Sequence, residues 1–110
     1  MKWIKDLYIS PAMEKKKIKI KWKLNHGAGV VGVYLLVMPL DNSHLEIINS
    51  AYLKQKYYRR RKMVIIGIAE SIESAYDILI KIVSETFEHT KDADIKKYLL
   101  ERYPNMYYDN

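Results

Sequence analysis

The sequence contains no cysteine, and it also lacks a long apolar run. Without cysteine the chain can form no disulfide bond, thiolate metal site or cysteine nucleophile, which fits a reducing compartment. Its longest apolar stretch, residues 28–40, is shorter than the roughly 20 residues that a membrane-spanning helix needs. The first ten residues include Lys2, Lys5 and Asp6, so they do not read as a signal peptide. We therefore expect a cytoplasmic protein with no membrane partner.

Motifs for catalysis and metal binding are also missing. The three histidines, His26, His44 and His89, are far apart in sequence and show no paired ligand spacing. No serine lies in a recognisable nucleophile elbow. The sequence therefore predicts a protein that is not an enzyme, with no catalytic residue, no metal site and no cofactor.

Positive charge is in excess. Lysine and arginine number 19 against 13 aspartate and glutamate residues, which gives a net charge of +6. Such a balance suits a polyanionic partner such as nucleic acid. A bias of the genome towards lysine, isoleucine, tyrosine and asparagine codons would produce the same excess without any function.

Two apolar runs predict the centre of the fold. Residues 63–69 are short, continuous and rich in β-branched side chains, as in a strand buried on both faces, and residues 30–38 have the same character. Between them, Ser43 and Glu46 have the spacing of a helix-capping box. The predicted fold is a small α/β single domain spanning residues 1–110. It has a βαβ core in which two or three mainly parallel strands pack with helices.

Two more helices should follow the second strand. Ser71 is a good N-cap for the first of them, and Pro104 should stop the second. The inner stripe of the first is predicted at helical spacing, at Ile72, Ala75, Leu79, Ile82, Val83 and Phe87. Residues 104–110 are expected to form a loose tail.

Residues 11–25 give conflicting signals. Residues 17–24 alternate lysine with apolar residues, which is typical of a strand. Ser10, Pro11 and Gly27 instead suit the two ends of a helix, which we slightly favour. In the helical case residues 7–9 form a short first strand. In the alternative case an α+β fold results, with a lysine-edged hairpin followed by βαβαα.

The strongest candidate site is a basic segment with interleaved tyrosines. Arginines can grip phosphates and tyrosines can stack on bases. The candidate nucleic-acid contacts are Lys54, Lys56, Tyr57, Tyr58, Arg59, Arg60, Arg61 and Lys62. A helix end followed by a solvated loop would account for the same residues without a ligand.

A weaker candidate site lies where the two predicted strands end. Asp41 and Ser43 follow one strand, and Glu70 and Ser71 follow the other. Ligands of open parallel sheets usually bind at this edge, so these residues could hold a small molecule.

The apolar side chains of residues 33–38 point to both sides of the predicted sheet. If helices of the same chain leave one side of the sheet uncovered, a second copy must cover it, and this would favour a homodimer.

Residues 33–94 resemble a set of small uncharacterised proteins of low-GC Gram-positive bacteria. The similarity lies in Tyr34, Ala75 and four short segments, residues 45–48, 55–58, 66–69 and 82–83. This resemblance implies a compact α/β unit and brings no known activity, cofactor or catalytic residue.

The candidate sites lead us to expect three functions, in this order: nucleic-acid binding, a homodimeric interaction module, and a small-molecule sensor.

Overall fold

A computed structural model of the protein describes residues 1–108 and shows a four-stranded mixed sheet. The strands are β1 (Lys2–Ile9), β2 (Tyr34–Pro39), β3 (Glu46–Asn49) and β4 (Met63–Ala69). Their order across the sheet is β1-β4-β2-β3. β1 and β4 are parallel, whereas β2 is antiparallel to both of its neighbours, β4 and β3.

The two apolar runs form the middle of this sheet. Every residue of β4 is buried, and in β2 only Tyr34 is partly exposed. Side chains that alternate along a strand point to opposite faces, so both faces of these strands need cover. Leu36 and Ile66 lie in one core, and Leu35 and Ile65 lie in the other.

Each face is covered by a separate part of the chain. On one face lie α3 (Ile72–Thr90) and α4 (Ile95–Arg102). On the other face lie the 3-10 helix Pro11–Lys16 and α1 (Lys17–Asn25). Because the chain covers its own second face, the bare flank predicted from the sequence does not exist, and that reason for expecting a dimer is lost.

The predicted βαβ core is wrong. β2 and β4 are adjacent but antiparallel, with Tyr34 opposite Ala69 and Pro39 opposite Met63. The residues predicted to form the connecting helix instead start with β3, which forms a hairpin with β2. Ile47 packs towards one core and Ile48 lies in the other, as neighbouring side chains of a strand do. Because Ile47 and Ile48 pack on opposite faces of the sheet, this segment forms a strand although Ser43 and Glu46 have the spacing of a helix-capping box.

The chain returns from β3 to β4 through two short helical pieces. These are the 3-10 helix Ser50–Lys54 and α2 (Lys56–Arg60). Asn49 accepts a hydrogen bond from the amide of Ala51 and so caps the first piece. The basic segment thus lies on the connection that crosses over β2.

Residues 11–25 adopt the helical alternative, so the predicted lysine-edged hairpin is absent. Ile20 and Leu24 are buried in the second core, whereas Ile18 and Trp22 point outward. The first strand is longer than the predicted residues 7–9, since β1 begins at Lys2.

The end of the chain is packed where a loose tail from residue 104 was predicted. Met106 and Tyr107 are buried in the first core, and the Tyr107 hydroxyl donates a hydrogen bond of 3.1 Å to the carbonyl of Pro39. That part of the prediction is therefore wrong for residues 106 and 107. Residues 109 and 110, which the prediction also includes, lie outside the described residues.

Candidate functional site

The basic segment presents most of its cations to solvent. It starts in the 3-10 helix Ser50–Lys54, continues through α2 and ends at the first residue before β4. The exposed cations are Lys54, Lys56, Arg59, Arg60 and Lys62. Within residues 1–108, no carboxylate forms a salt bridge with any of these five. Their charge is therefore available to an external anion.

Arg61 differs from its neighbours. Its guanidinium donates two hydrogen bonds of 2.7 Å to the two carboxylate oxygens of Glu46 and a third, of 3.2 Å, to Asp41. Only 12% of the side chain is exposed. The hydrogen bond with Glu46 is the main cause of a raised pKa of Arg61. This bidentate pair joins the start of β3 to the start of β4, so Arg61 is a structural residue rather than a free cation.

The two tyrosines of the segment form one aromatic cluster with Tyr52, which lies just before it. The Tyr52 and Tyr58 rings stack with centroids 5.4 Å apart, and Tyr57 meets Tyr58 edge to face at 5.0 Å. Tyr58 packs against the second core, whereas 63% of Tyr57 is exposed. Tyr57 is therefore the tyrosine of the predicted set whose ring best suits stacking on a ligand.

Two grooves flank Arg60. One, of about 400 Å³, is lined by Leu40, Asp41, Tyr57, Arg60, Arg61 and Lys62. The other, of about 260 Å³, is lined by Met1, Lys2, Tyr58, Arg59, Arg60, Arg61, Lys62 and Met63. Among residues 1–108 the lining of this second groove contains no carboxylate, and it includes the exposed cations Arg59, Arg60 and Lys62, so a positive potential is expected there.

The basic segment is in contact with the loop that follows α1. A Cβ placed on Gly27 would lie 3.4 Å from Nη1 of Arg59, and one placed on Gly29 would lie 2.8 Å from Cε of Lys54. The loop after α1 therefore packs directly on the basic segment. Gly27 has a φ of 78°, in the left-handed region that favours glycine, so a larger residue would be strained there.

Trp22 is a candidate binding residue that was not among those predicted from the sequence. Its side chain is 61% exposed and stacks on His26, with ring centroids 4.1 Å apart. Exposed Lys19 lies about one helical turn before it, and α1 carries three further lysines, Lys17, Lys21 and Lys23. The helical spacing that places Ile20 and Leu24 inward places Trp22 outward, so the signal was present in the sequence. The basic face is defined here as α1, the loop of residues 26–31 and residues 54–62, with Arg61 excluded.

The residues predicted to form a small-molecule site lie at opposite ends of the sheet. Asp41 and Ser43 follow β2, and Glu70 and Ser71 follow β4, which runs the other way. The expectation of one shared edge depended on parallel strands, so it is wrong. Asp41 is bound to Arg61, and Ser71 caps α3 by accepting a hydrogen bond from the amide of Ser74.

Glu70 likewise has internal partners. It accepts hydrogen bonds from the hydroxyls of Ser10 and Ser74, and these bonds, chiefly that from Ser10, lower the pKa of its carboxyl. The pair with Ser10 ties the end of β1 to the end of β4. A structural role therefore accounts for this carboxylate.

Within residues 1–108, no cluster of three or more histidine, aspartate or glutamate side chains could hold a metal ion. In the same part of the chain, no helix combines the length and apolar character needed to cross a bilayer. Comparison with family models, with curated proteins and with solved structures finds no match to this chain.

Proposed function

We propose that the protein binds single-stranded nucleic acid on its basic face. Five exposed cations of residues 54–62 would contact phosphates, and two exposed rings, Trp22 and Tyr57, would stack on bases. The observation that carries the proposal is the continuity of this surface. Arg59 and Lys54 pack against the loop that follows α1, so cations and aromatic rings occur together on one side of the molecule.

The electrostatic part of the proposal is tested by salt dependence. Binding of a fluorescent 12-nucleotide single strand, measured by anisotropy, should weaken steeply as salt rises, because each contacted phosphate releases counterions. The double variant Arg59→Ala/Arg60→Ala should bind less tightly, and its slope of log affinity against log salt should fall by about 1.4. Arg61 is left intact, because its loss would disturb the strands it joins.

A matched control separates the site from the net charge. The variant Lys81→Ala/Lys97→Ala loses the same two charges from exposed positions on α3 and α4, on the other side of the sheet. It should bind as the parent protein does. Equal weakening by both double variants would mean that only overall charge matters, and unchanged binding by the arginine variant would refute the site.

The stacking part of the proposal predicts a preference for single strands. Trp22→Ala should reduce affinity for the single strand about tenfold, in line with one lost base–aromatic contact, and should change duplex binding little. The control is Ile18→Ala, since Ile18 is the neighbouring exposed apolar residue of α1. Binding to anionic lipid vesicles that is stronger than binding to the oligonucleotide would instead make the basic face a membrane surface.

A further inference from the structure

The outer side of α3 carries a stripe of large apolar residues that remain exposed to solvent. Tyr76, Ile80, Val83 and Phe87 are 53%, 64%, 36% and 56% exposed. The core-facing residues of the same helix are others, chiefly Ala75, Ile78 and Ile82. Exposed apolar patches of this kind commonly mark interaction sites. This set of four residues is called the α3 seam.

The spacing of the α3 seam is that of a coiled coil. Its members follow one another at intervals of four, three and four residues, which is the alternation of the a and d positions in a heptad. A helix with this spacing packs best against another helix that repeats it. Within residues 1–108, no second helix of the chain covers the seam, since all four of its residues remain exposed.

The seam is complementary to itself in the antiparallel direction. When Tyr76 faces Phe87 of a second copy, Ile80 faces Val83, and the two-fold axis passes between them. Four apolar residues on each helix are then matched without a gap.

Charge at the ends of the seam favours the same arrangement. Glu73 precedes the seam and Lys91 follows it. Glu73 lies in the first turn of α3, and Lys91 is the residue, with a φ of 61°, that directly follows its last turn, so the two charges lie at opposite ends of the helix. An antiparallel second copy brings Glu73 against Lys91, whereas a parallel copy brings Glu73 against Glu73.

From these observations we propose that the protein forms a symmetric homodimer in which the α3 seams of two copies pack antiparallel. The seam extends over only about three turns, so we expect a modest interface and a dissociation constant on the order of micromolar. This inference does not rest on nucleic-acid binding, because the basic face lies on the other side of the sheet.

The test is the oligomeric state in solution. Light scattering after size-exclusion chromatography, from about 1 µM to about 500 µM protein, should show a monomer–dimer equilibrium. Ile80→Glu should raise the dissociation constant about 100-fold or more, because two buried isoleucines per dimer are replaced by charges. Ile18→Glu makes the same change at an isoleucine of α1 that is 84% exposed, and it should leave the dimer unchanged.

The antiparallel orientation of the two α3 helices is tested separately by cross-linking. The sequence contains no cysteine, so an introduced cysteine is the only one in each copy. Copies carrying Glu73→Cys and copies carrying Lys91→Cys, when mixed and oxidised, should form a disulfide-linked heterodimer. Copies carrying Glu73→Cys alone should not cross-link.

Three results would overturn the proposal. They are a monomer at every concentration, a dimer that Ile80→Glu leaves intact, and efficient cross-linking of Glu73→Cys with itself. Circular dichroism of each variant confirms that it is folded. If Ile80→Glu unfolds, Glu73→Lys replaces it, because that change should also weaken the dimer and Glu73 is exposed.

Discussion

The two faces of the sheet are covered by helices of opposite surface chemistry. α1 and the basic segment expose lysine, arginine and two aromatic rings, whereas α3 exposes four apolar residues in a heptad pattern. Both layers bury an apolar inner side against β2 and β4. The inner residues therefore determine the fold, whereas the outer residues, which packing leaves free to vary, carry any partner specificity.

The two cores can be compared directly through neighbouring residues of β2. Leu35 and Leu36 are both fully buried, one in each core. Leu35→Ala and Leu36→Ala should each lower the free energy of unfolding by about 2–5 kcal/mol. Urea denaturation checks both values. A loss below about 1 kcal/mol for only one of them would show that its layer of helices contributes little to stability.

On the α3 side, Tyr107 should make stability sensitive to high pH. Burial raises the pKa of Tyr107 from its ordinary value of 10 to about 12. An unfolded chain therefore loses this proton at lower pH than the folded chain. The contribution of this proton to stability is fully present well below pH 10, and about 2–3 kcal/mol of stability should be lost as the pH rises from 10 through 12.

Tyr107→Phe tests this origin of the alkaline loss. The variant also loses the hydrogen bond to the carbonyl of Pro39, so it should be about 1 kcal/mol less stable at pH 7. Urea midpoints measured between pH 8 and pH 12 should then fall less steeply than those of the parent protein. An unchanged slope would assign the alkaline loss to other tyrosines.

The next largest expected effect is the difference in stability loss between alanine substitutions of two adjacent arginines. Arg61→Ala leaves Glu46 without its bidentate partner, and the free energy of unfolding should fall by about 1–3 kcal/mol. Arg60→Ala removes an exposed cation and should change stability by less than about 0.5 kcal/mol. Thermal denaturation of both variants at pH 7 gives the comparison, and equal losses of stability would contradict a structural role for Arg61 and a solvent-exposed role for Arg60.

The smallest effect concerns the start of α3. Ser71→Ala removes the oxygen that accepts from the amide of Ser74, at a cost of about 1 kcal/mol. Ser84→Ala, at an exposed position within the same helix, should be neutral or slightly stabilising, since alanine favours helix. Urea midpoints of the two variants separate the effect of the cap from a general effect of losing a serine. A loss of stability in Ser84→Ala as large as that in Ser71→Ala would argue against a capping role for Ser71.

Much of the local structure could be predicted from the sequence. The strand of residues 63–69 and the helix that Ser71 begins are both present, because each has a strong pattern and clear ends. The direction of pairing could not be predicted. It depends on residues 43–58, where Leu45, Ile48 and Tyr52 fit helical spacing while Ile47 and Ile48 also fit a strand. A segment this short is decided by tertiary burial, which spacing alone does not contain.

The candidate surfaces show the same limit. Helical spacing correctly places apolar residues along α3 but includes Val83 and Phe87 among the inner ones, because the core stripe and the α3 seam adjoin on the helix surface. Similarly, the cluster of arginines is obvious in the sequence, but the pairing of Arg61 with Glu46 depends on the hairpin that brings a carboxylate 15 residues away into contact. Side-chain roles set by such distant contacts follow only from the fold.

The sheet lies between the basic face and the α3 seam, and this arrangement determines how many nucleic-acid segments one dimer could bind. Two copies joined through α3 would turn their cationic surfaces away from each other. One dimer could then hold two separate strands, or two distant stretches of one strand, and the second contact would gain from the high local concentration created by the first. Such an assembly would act as a bridge between nucleic-acid segments, whereas a single copy would merely coat one.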